Sequence, residues 1–159
     1  MNLIETPSLT DIVSCPGGDF CSLANAKSIP VAEAIQRRFD DLDYLHDIGG
    51  LDLNISGCMN SCGHHHAGHI GILGVDKNGS EWYQVSIGGA QGVDGDAAIG
   101  QVIGPSFAAA EMPEVVEKLI GTYLDRRTPE ERFIDTVRRI GVAPFKQGVY
   151  GPSREAAHA

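Results

Sequence analysis

The sequence has 159 residues, 42% of them hydrophobic and 21% charged, a balance that suits one globular domain with its own core and excludes a disordered chain. Twelve Lys and Arg against 21 Asp and Glu give a formal charge of −9, which argues against a nucleic-acid or anionic-membrane surface as the main partner. No apolar run approaches the ~20 residues needed to cross a bilayer, and MNLIETPSLTD lacks the basic and apolar segments of an export signal, so a cytoplasmic protein is expected.

LTDIVSC (9–15) reads as a short strand that ends at the first cysteine. SIPVAEAIQRRFDDLDYL (28–45) reads as a helix, with Pro30 in its first turn and Val31, Ala34, Ile35, Phe39 and Leu42 near helical spacing. Gly49 and Gly50 stop it. LDLNISG (51–57) alternates apolar and polar residues like a half-buried strand and delivers the chain to Cys58. HIGILGV (69–75) and EWYQVSIGG (81–89) flank Asn78-Gly79, a strong hairpin signal. QVIGPSF (101–107) adds a further strand.

The period then becomes helical from Glu111 to Arg127 and from Thr128 to Ile140, where Thr128-Pro129 reads as a capped helix start. The Gly- and Ala-rich residues 146–159 read as a tail, loose or packed on a neighbour. The expected fold is α+β: one domain over residues 1–159, with a mixed, roughly five-stranded sheet and two C-terminal helices.

All four cysteines fall in two short runs, SCPGGDFCSL (14–23) and ISGCMNSCGHHHAGHIG (55–71), at strand ends or in Gly-rich turns. A reducing compartment argues against disulfides. A structural zinc site is a rival reading, but zinc knuckles use closer pairs, and only Cys58 and Cys62 fit that spacing. Buried free thiols are a further reading, although cores seldom gather at such positions. An iron–sulfur cluster accounts better for the placement, because thiolates hold it and backbone N–H groups tune it. Gly17, Gly18 and Gly57 let the backbone come close. If MNSC continues as a turn of helix, Cys58 and Cys62 stand at i and i+4 on one face. Three adjacent histidines, His64 to His66, can present at most two imidazoles to one site, so a histidine zinc site is the weaker reading.

The pattern C-x5-C (Cys15, Cys21), followed by G-C-x-N-x-C-G (57–63), resembles the sirohaem and 4Fe-4S signature of the nitrite and sulfite reductase haemoproteins. The likeness continues through HIGILGVDKNG, EWYQVSIGGA, VIGPSF and ERFIDTVRRIG, and its wording is most similar to bacterial assimilatory sulfite reductases. The resemblance implies one half of a duplicated architecture, the C-terminal, cluster-bearing one. It implies that Cys15, Cys21, Cys58 and Cys62 ligate a 4Fe-4S cluster, that Cys62 also bridges to sirohaem iron, and that Asn60, Gly63 and His64 lie against the macrocycle. Met59 stands where the family commonly has proline.

The implied reaction is the six-electron reduction of sulfite to sulfide, with nitrite to ammonia as the alternative within the family and a noncatalytic four-cysteine zinc module as the alternative outside it. The implied partners are the N-terminal half of the enzyme, which brings the basic residues for sirohaem and substrate, and a ferredoxin or flavoprotein donor. No catalytic residue is assigned within this sequence, and the chain alone is expected to be inactive.

Overall fold

A computed structural model describes residues 12–40, 51–92 and 96–157. Among the described residues, five strands form one sheet in the order β1 (Ile12–Ser14), β2 (Leu53–Ser56), β3 (Ile70–Lys77), β4 (Ser80–Ile87) and β5 (Gln101–Val102). The β1–β2 and β2–β3 pairs are parallel, and the β3–β4 and β4–β5 pairs are antiparallel. The expected mixed five-stranded sheet is therefore present.

The change from parallel to antiparallel follows from the connections. Asn78 and Gly79 both adopt positive φ, 56° and 82°, which turns β3 directly back into β4, and the Gly79 N–H donates to Asp76 Oδ1 at 2.7 Å. Parallel neighbours cannot be joined by so tight a turn and need a crossover. The crossover from β1 to β2 contains helix α1 (Ile29–Asp40), and the one from β2 to β3 is residues 57–69, the second cysteine run. Both cysteine runs thus leave the sheet at the C-terminal ends of adjacent parallel strands.

The sheet's two faces differ. Leu53, Ile55, Ile70, Ile72, Val85 and Ile87 point to one face and are completely buried, each contributing roughly 1.5–3 kcal/mol of hydrophobic stabilisation. They join one cluster with Val31, Ile35 and Phe39 of α1, spaced i, i+4 and i+8, and with Val115, Leu119 and Tyr123 of α2 (Met112–Arg126). The opposite face carries Asn54, Ser56, Gly71 and Ser86, and the turn His65–Ala67 lies on it so closely that a Cβ on Gly71 would run into the His65 carbonyl oxygen.

Two helical expectations need correction. Helix α3 runs Phe133–Ile140 and does not begin at Thr128. Glu130 adopts φ 64°, and the Glu131 carboxylate binds Arg139 at 2.8 Å and accepts from Thr136 Oγ1 at 2.7 Å, so those partners in the following helix hold residues 128–131 in a non-helical turn. The segment expected to be a tail is instead part of α4 (Ala143–Ala157), which has a non-helical break at Gly151. Phe145, Val149 and Tyr150 are buried there, and Tyr150 stacks on Phe107 at 5.2 Å between ring centres. Leu9 to Asp11 of the first expected strand, and residues 41–45 of the first expected helix, lie outside the described residues. Among the described residues no helix is long and apolar enough to cross a membrane.

Candidate functional site

The two cysteine loops interlock beyond the ends of β1 and β2. Cys15 extends the parallel ladder, its N–H donating to Ile55 O at 3.1 Å. The Gly57 N–H then donates to Cys15 Sγ at 3.1 Å, and the Gly57 carbonyl accepts from Asn25 N at 2.9 Å and Ala26 N at 3.1 Å. A Cβ on Gly57 would stand 2.8 Å from Ala26 O and 3.0 Å from Gly17 Cα, so only glycine lets the loops come this close. Within the first loop, Gly17 adopts φ 64° and its carbonyl accepts from Cys21 N at 2.8 Å.

Ser28 closes the first loop at the start of α1. Its hydroxyl is fully buried, donates to Cys15 O at 2.5 Å, and lies 3.7 Å from Cys15 Sγ. Tyr83 ties the loop to β4 from below, donating to Lys27 O at 2.6 Å. Burial first, then the nearby Glu81 carboxylate, push the Tyr83 phenol up to about 12, so it remains a donor across the physiological range.

The second loop is not the helical turn expected from MNSC. Ser61 and His64 both adopt left-handed conformations, φ 57° and 52°, giving two successive tight turns closed by Ser61 N to Cys58 O at 3.1 Å and His64 N to Ser61 O at 2.7 Å. Helical hydrogen bonds lose to contacts with β2: Gly63 lies so close to the strand that a Cβ would overlap the Ile55 carbonyl oxygen. The Gly63 N–H donates to Ser56 Oγ at 3.1 Å, and Asn54 Nδ2 donates to His64 O at 3.1 Å.

All four cysteines are free thiols: Cys58 is buried, Cys15 and Cys21 are partly exposed, and Cys62 is exposed. Asn60 is exposed, Gly63 buried and His64 exposed. Among the described residues, no three of His, Cys, Asp and Glu converge tightly enough to share a single metal ion. Zinc draws its four ligands to within about 2.0–2.3 Å of one centre, whereas a four-iron cluster takes one thiolate per iron and spreads its ligands apart. The donor set suits the cluster: four unpaired soft thiols, a backbone N–H already aimed at one sulfur, and loops whose glycines clear space. Iron held by such thiolates would give the site electron storage and transfer.

Beside the second loop lies a cavity of about 570 Å³ lined by His64, His66, Ala67, Ala90, Gln91 and residues 97–99. Among the described residues, no Lys or Arg lines it. Its far wall is the loop after β4, fixed by the mutual Ala90–Ala98 backbone pair and by Gly100 N–H donating to His66 O at 2.8 Å. Arg138 of α3 donates to Asp96 O at 2.9 Å and braces that loop. His65 lies on the sheet side, and burial, followed by the charge of His66, lowers its pKa below the usual histidine value.

Sequence reading missed Ser28, Asn54 and Ser56. The alternation of LDLNISG was the available signal for the last two, since it places Asn54 and Ser56 together on the face opposite Leu53 and Ile55.

Known proteins resemble this chain in sequence and in fold. The family model of the nitrite and sulphite reductase 4Fe-4S domain matches residues 5–156. The chain is 30% identical over 131 residues to the sulfite reductase [NADPH] hemoprotein beta-component of Methylobacterium sp. (strain 4-46), covering 81% of this chain and 21% of that protein. It is 29% identical over 141 residues to the cobalt-factor III methyltransferase of Priestia megaterium, covering 89% of this chain and 24% of that protein. The solved structure of Mycobacterium tuberculosis NirA protein superposes with a TM-score of 0.69 at 26% identity, covering 85% of this chain and 26% of that one. The chain thus spans about a quarter of the length of each of these three proteins.

Proposed function

The chain belongs to the nitrite and sulphite reductase 4Fe-4S domain family, and from that membership we propose that it is the cluster-bearing part of a sulfite reductase. Cys15, Cys21, Cys58 and Cys62 are the proposed ligands of a 4Fe-4S cluster, with Cys62 also facing sirohaem. When bound, the pair of cofactors would supply electrons singly to sulfite for its reduction to sulfide. The observation that carries the reading is the interlock of the two cysteine loops through the Gly57 N–H on Cys15 Sγ.

The chain's own residues have definable roles in this reading. The Gly57 N–H donates to Cys15 sulfur and ties the second loop to the first. Ser28 holds the Cys15 carbonyl and Tyr83 holds the loop. Asn60, Gly63 and His64 form the proposed contact with the macrocycle, and the cavity beside His64 offers room for it. Sirohaem is a polycarboxylate, and a cavity without Lys or Arg among its described lining leaves those charges unpaired. The remaining basic partners are therefore proposed to come from another part of the enzyme, in keeping with the quarter-length coverage, and the chain alone is proposed to be inactive. Sulfite is preferred to nitrite because the Methylobacterium relative is named a sulfite reductase.

The test is anaerobic reconstitution with iron and sulfide, followed by metal and acid-labile sulfide analysis. About four irons and four sulfides per chain are expected. One zinc per chain with no labile sulfide would overturn the proposal in favour of the four-cysteine zinc module.

A further inference from the structure

We propose that Asn54 and Ser56 are positioning residues for the Cys62 thiolate, which they orient by pinning the two residues that follow it. The inference rests on the cluster reading above. β2 sends Leu53 and Ile55 into the apolar core and Asn54 and Ser56 to the other face, yet these two polar side chains are only 1% and 0% exposed. A buried polar side chain in mid-strand is costly unless it is bonded. Both bonds go to the same place: Ser56 Oγ accepts from Gly63 N–H at 3.1 Å, and Asn54 Nδ2 donates to His64 O at 3.1 Å.

That segment needs an external hold. Cys62 is exposed, so packing does not fix its side chain. It sits between Ser61 and His64, both left-handed without being glycine, a conformation that persists only where the surroundings impose it. Gly63, pressed on Ile55 O, and the two β2 side chains are those surroundings. A thiolate shared between cofactors must be held to within a fraction of an ångström, which is the task of residues behind the ligand.

Asn54 also separates this role from plain stabilisation. Its Oδ1 is buried without a partner among the described residues, a cost that an apolar residue of the same shape would avoid. Asn54 is thus a poor choice for stability and a good one for gripping the His64 carbonyl.

The experiment compares the wild-type chain with Asn54→Leu, Ser56→Ala and Ser56→Thr, each metal-free and after anaerobic reconstitution. The readouts are Gly63 amide exchange, melting temperature, iron per chain, and the electron paramagnetic resonance spectrum of the reduced cluster. Ser56→Ala should speed Gly63 exchange roughly fivefold or more, as loss of one hydrogen bond implies, and should shift the cluster spectrum. Ser56→Thr, which keeps the hydroxyl, should restore both. Asn54→Leu should keep or raise the melting temperature and still shift the spectrum. If the wild type takes up a cluster and both Asn54→Leu and Ser56→Ala give its unaltered spectrum, this inference is wrong and the cluster reading stands. If the wild type takes up none, the cluster reading fails, and the positioning role with it.

Discussion

The backbone N–H of Gly57 donates to the sulfur of Cys15 across 3.1 Å. Two residues 42 apart in sequence are thus joined through the atom proposed to hold iron. The contact locks the two loops to each other, so a change in one is felt in the other.

Gly57→Ala should therefore disable the site from the backbone outward. The added methyl would stand 2.8 Å from Ala26 O and 3.0 Å from Gly17 Cα, contacts that only backbone movement relieves. A destabilisation of about 1–3 kcal/mol by urea titration is expected, as for other overpacked sites, together with loss of iron uptake. A variant of unchanged stability and iron content would show that the loops are free to separate.

Cys62→Ser should behave in the opposite way. Cys62 is exposed, and an exposed substitution changes stability by no more than about 0.5 kcal/mol. The metal-free variant should melt with the wild type, while iron per chain falls after reconstitution because a serine oxygen is a poorer ligand for a soft site. Full iron and sulfide content in the variant would remove Cys62 from the ligand set.

Ser28→Ala probes the first loop. It leaves the Cys15 carbonyl without the hydroxyl that donates to it at 2.5 Å in a buried setting, a loss of about 1–3 kcal/mol. The same variant unties the loop that carries Cys15, so the reduction potential of the reconstituted cluster should shift as the surroundings of the sulfur change. Spectroelectrochemical titration reads the potential separately from the unfolding curve.

Acid should weaken the fold through His69. Its Nδ1 accepts from Asp52 N–H at 3.0 Å, which requires the neutral ring. Burial lowers its pKa first; Asp52 and Asp135 oppose that, and Arg132 and Arg138 reinforce it. Below 6.5 the unfolded chain binds the proton more readily than the folded one, so stability is full above that pH and declines as pH falls toward the lowered folded value. His69→Asn, which keeps an acceptor and does not titrate, should make the decline shallower in chemical denaturation between about pH 7.5 and 5.5, the window around the histidine value. A residual slope is expected from His65, whose pKa is lowered in the same sense. An unchanged slope in His69→Asn would assign the dependence elsewhere.

Removal of iron should leave the sheet and the C-terminal helices intact. The principal apolar cluster joins α1, the sheet and α2 to α4 and contains none of the four cysteines. Circular dichroism of metal-free protein should keep its helical signal, with faster amide exchange confined to the cysteine loops.

Local pattern alone determined much of this protein. Period-two alternation, the Asn78-Gly79 turn and the apolar stripe of α1 are legible because each depends on residues a few positions apart. The cysteine spacing and its flanking glycines likewise marked the proposed site, since a ligand run must carry its own donors. Contacts from one element to another decided the rest. The MNSC run gives up its helical turn because Gly63 must lie on Ile55 and bond Ser56. α3 starts at Phe133 because Glu131 is held by Arg139 and Thr136 from within the helix that follows. The expected tail becomes α4 because Phe145, Val149 and Tyr150 find an apolar surface built by α2 and Phe107. In each case a weak local preference yields to burial or to a hydrogen bond supplied from elsewhere in the chain, and such partners exist only once the chain has folded.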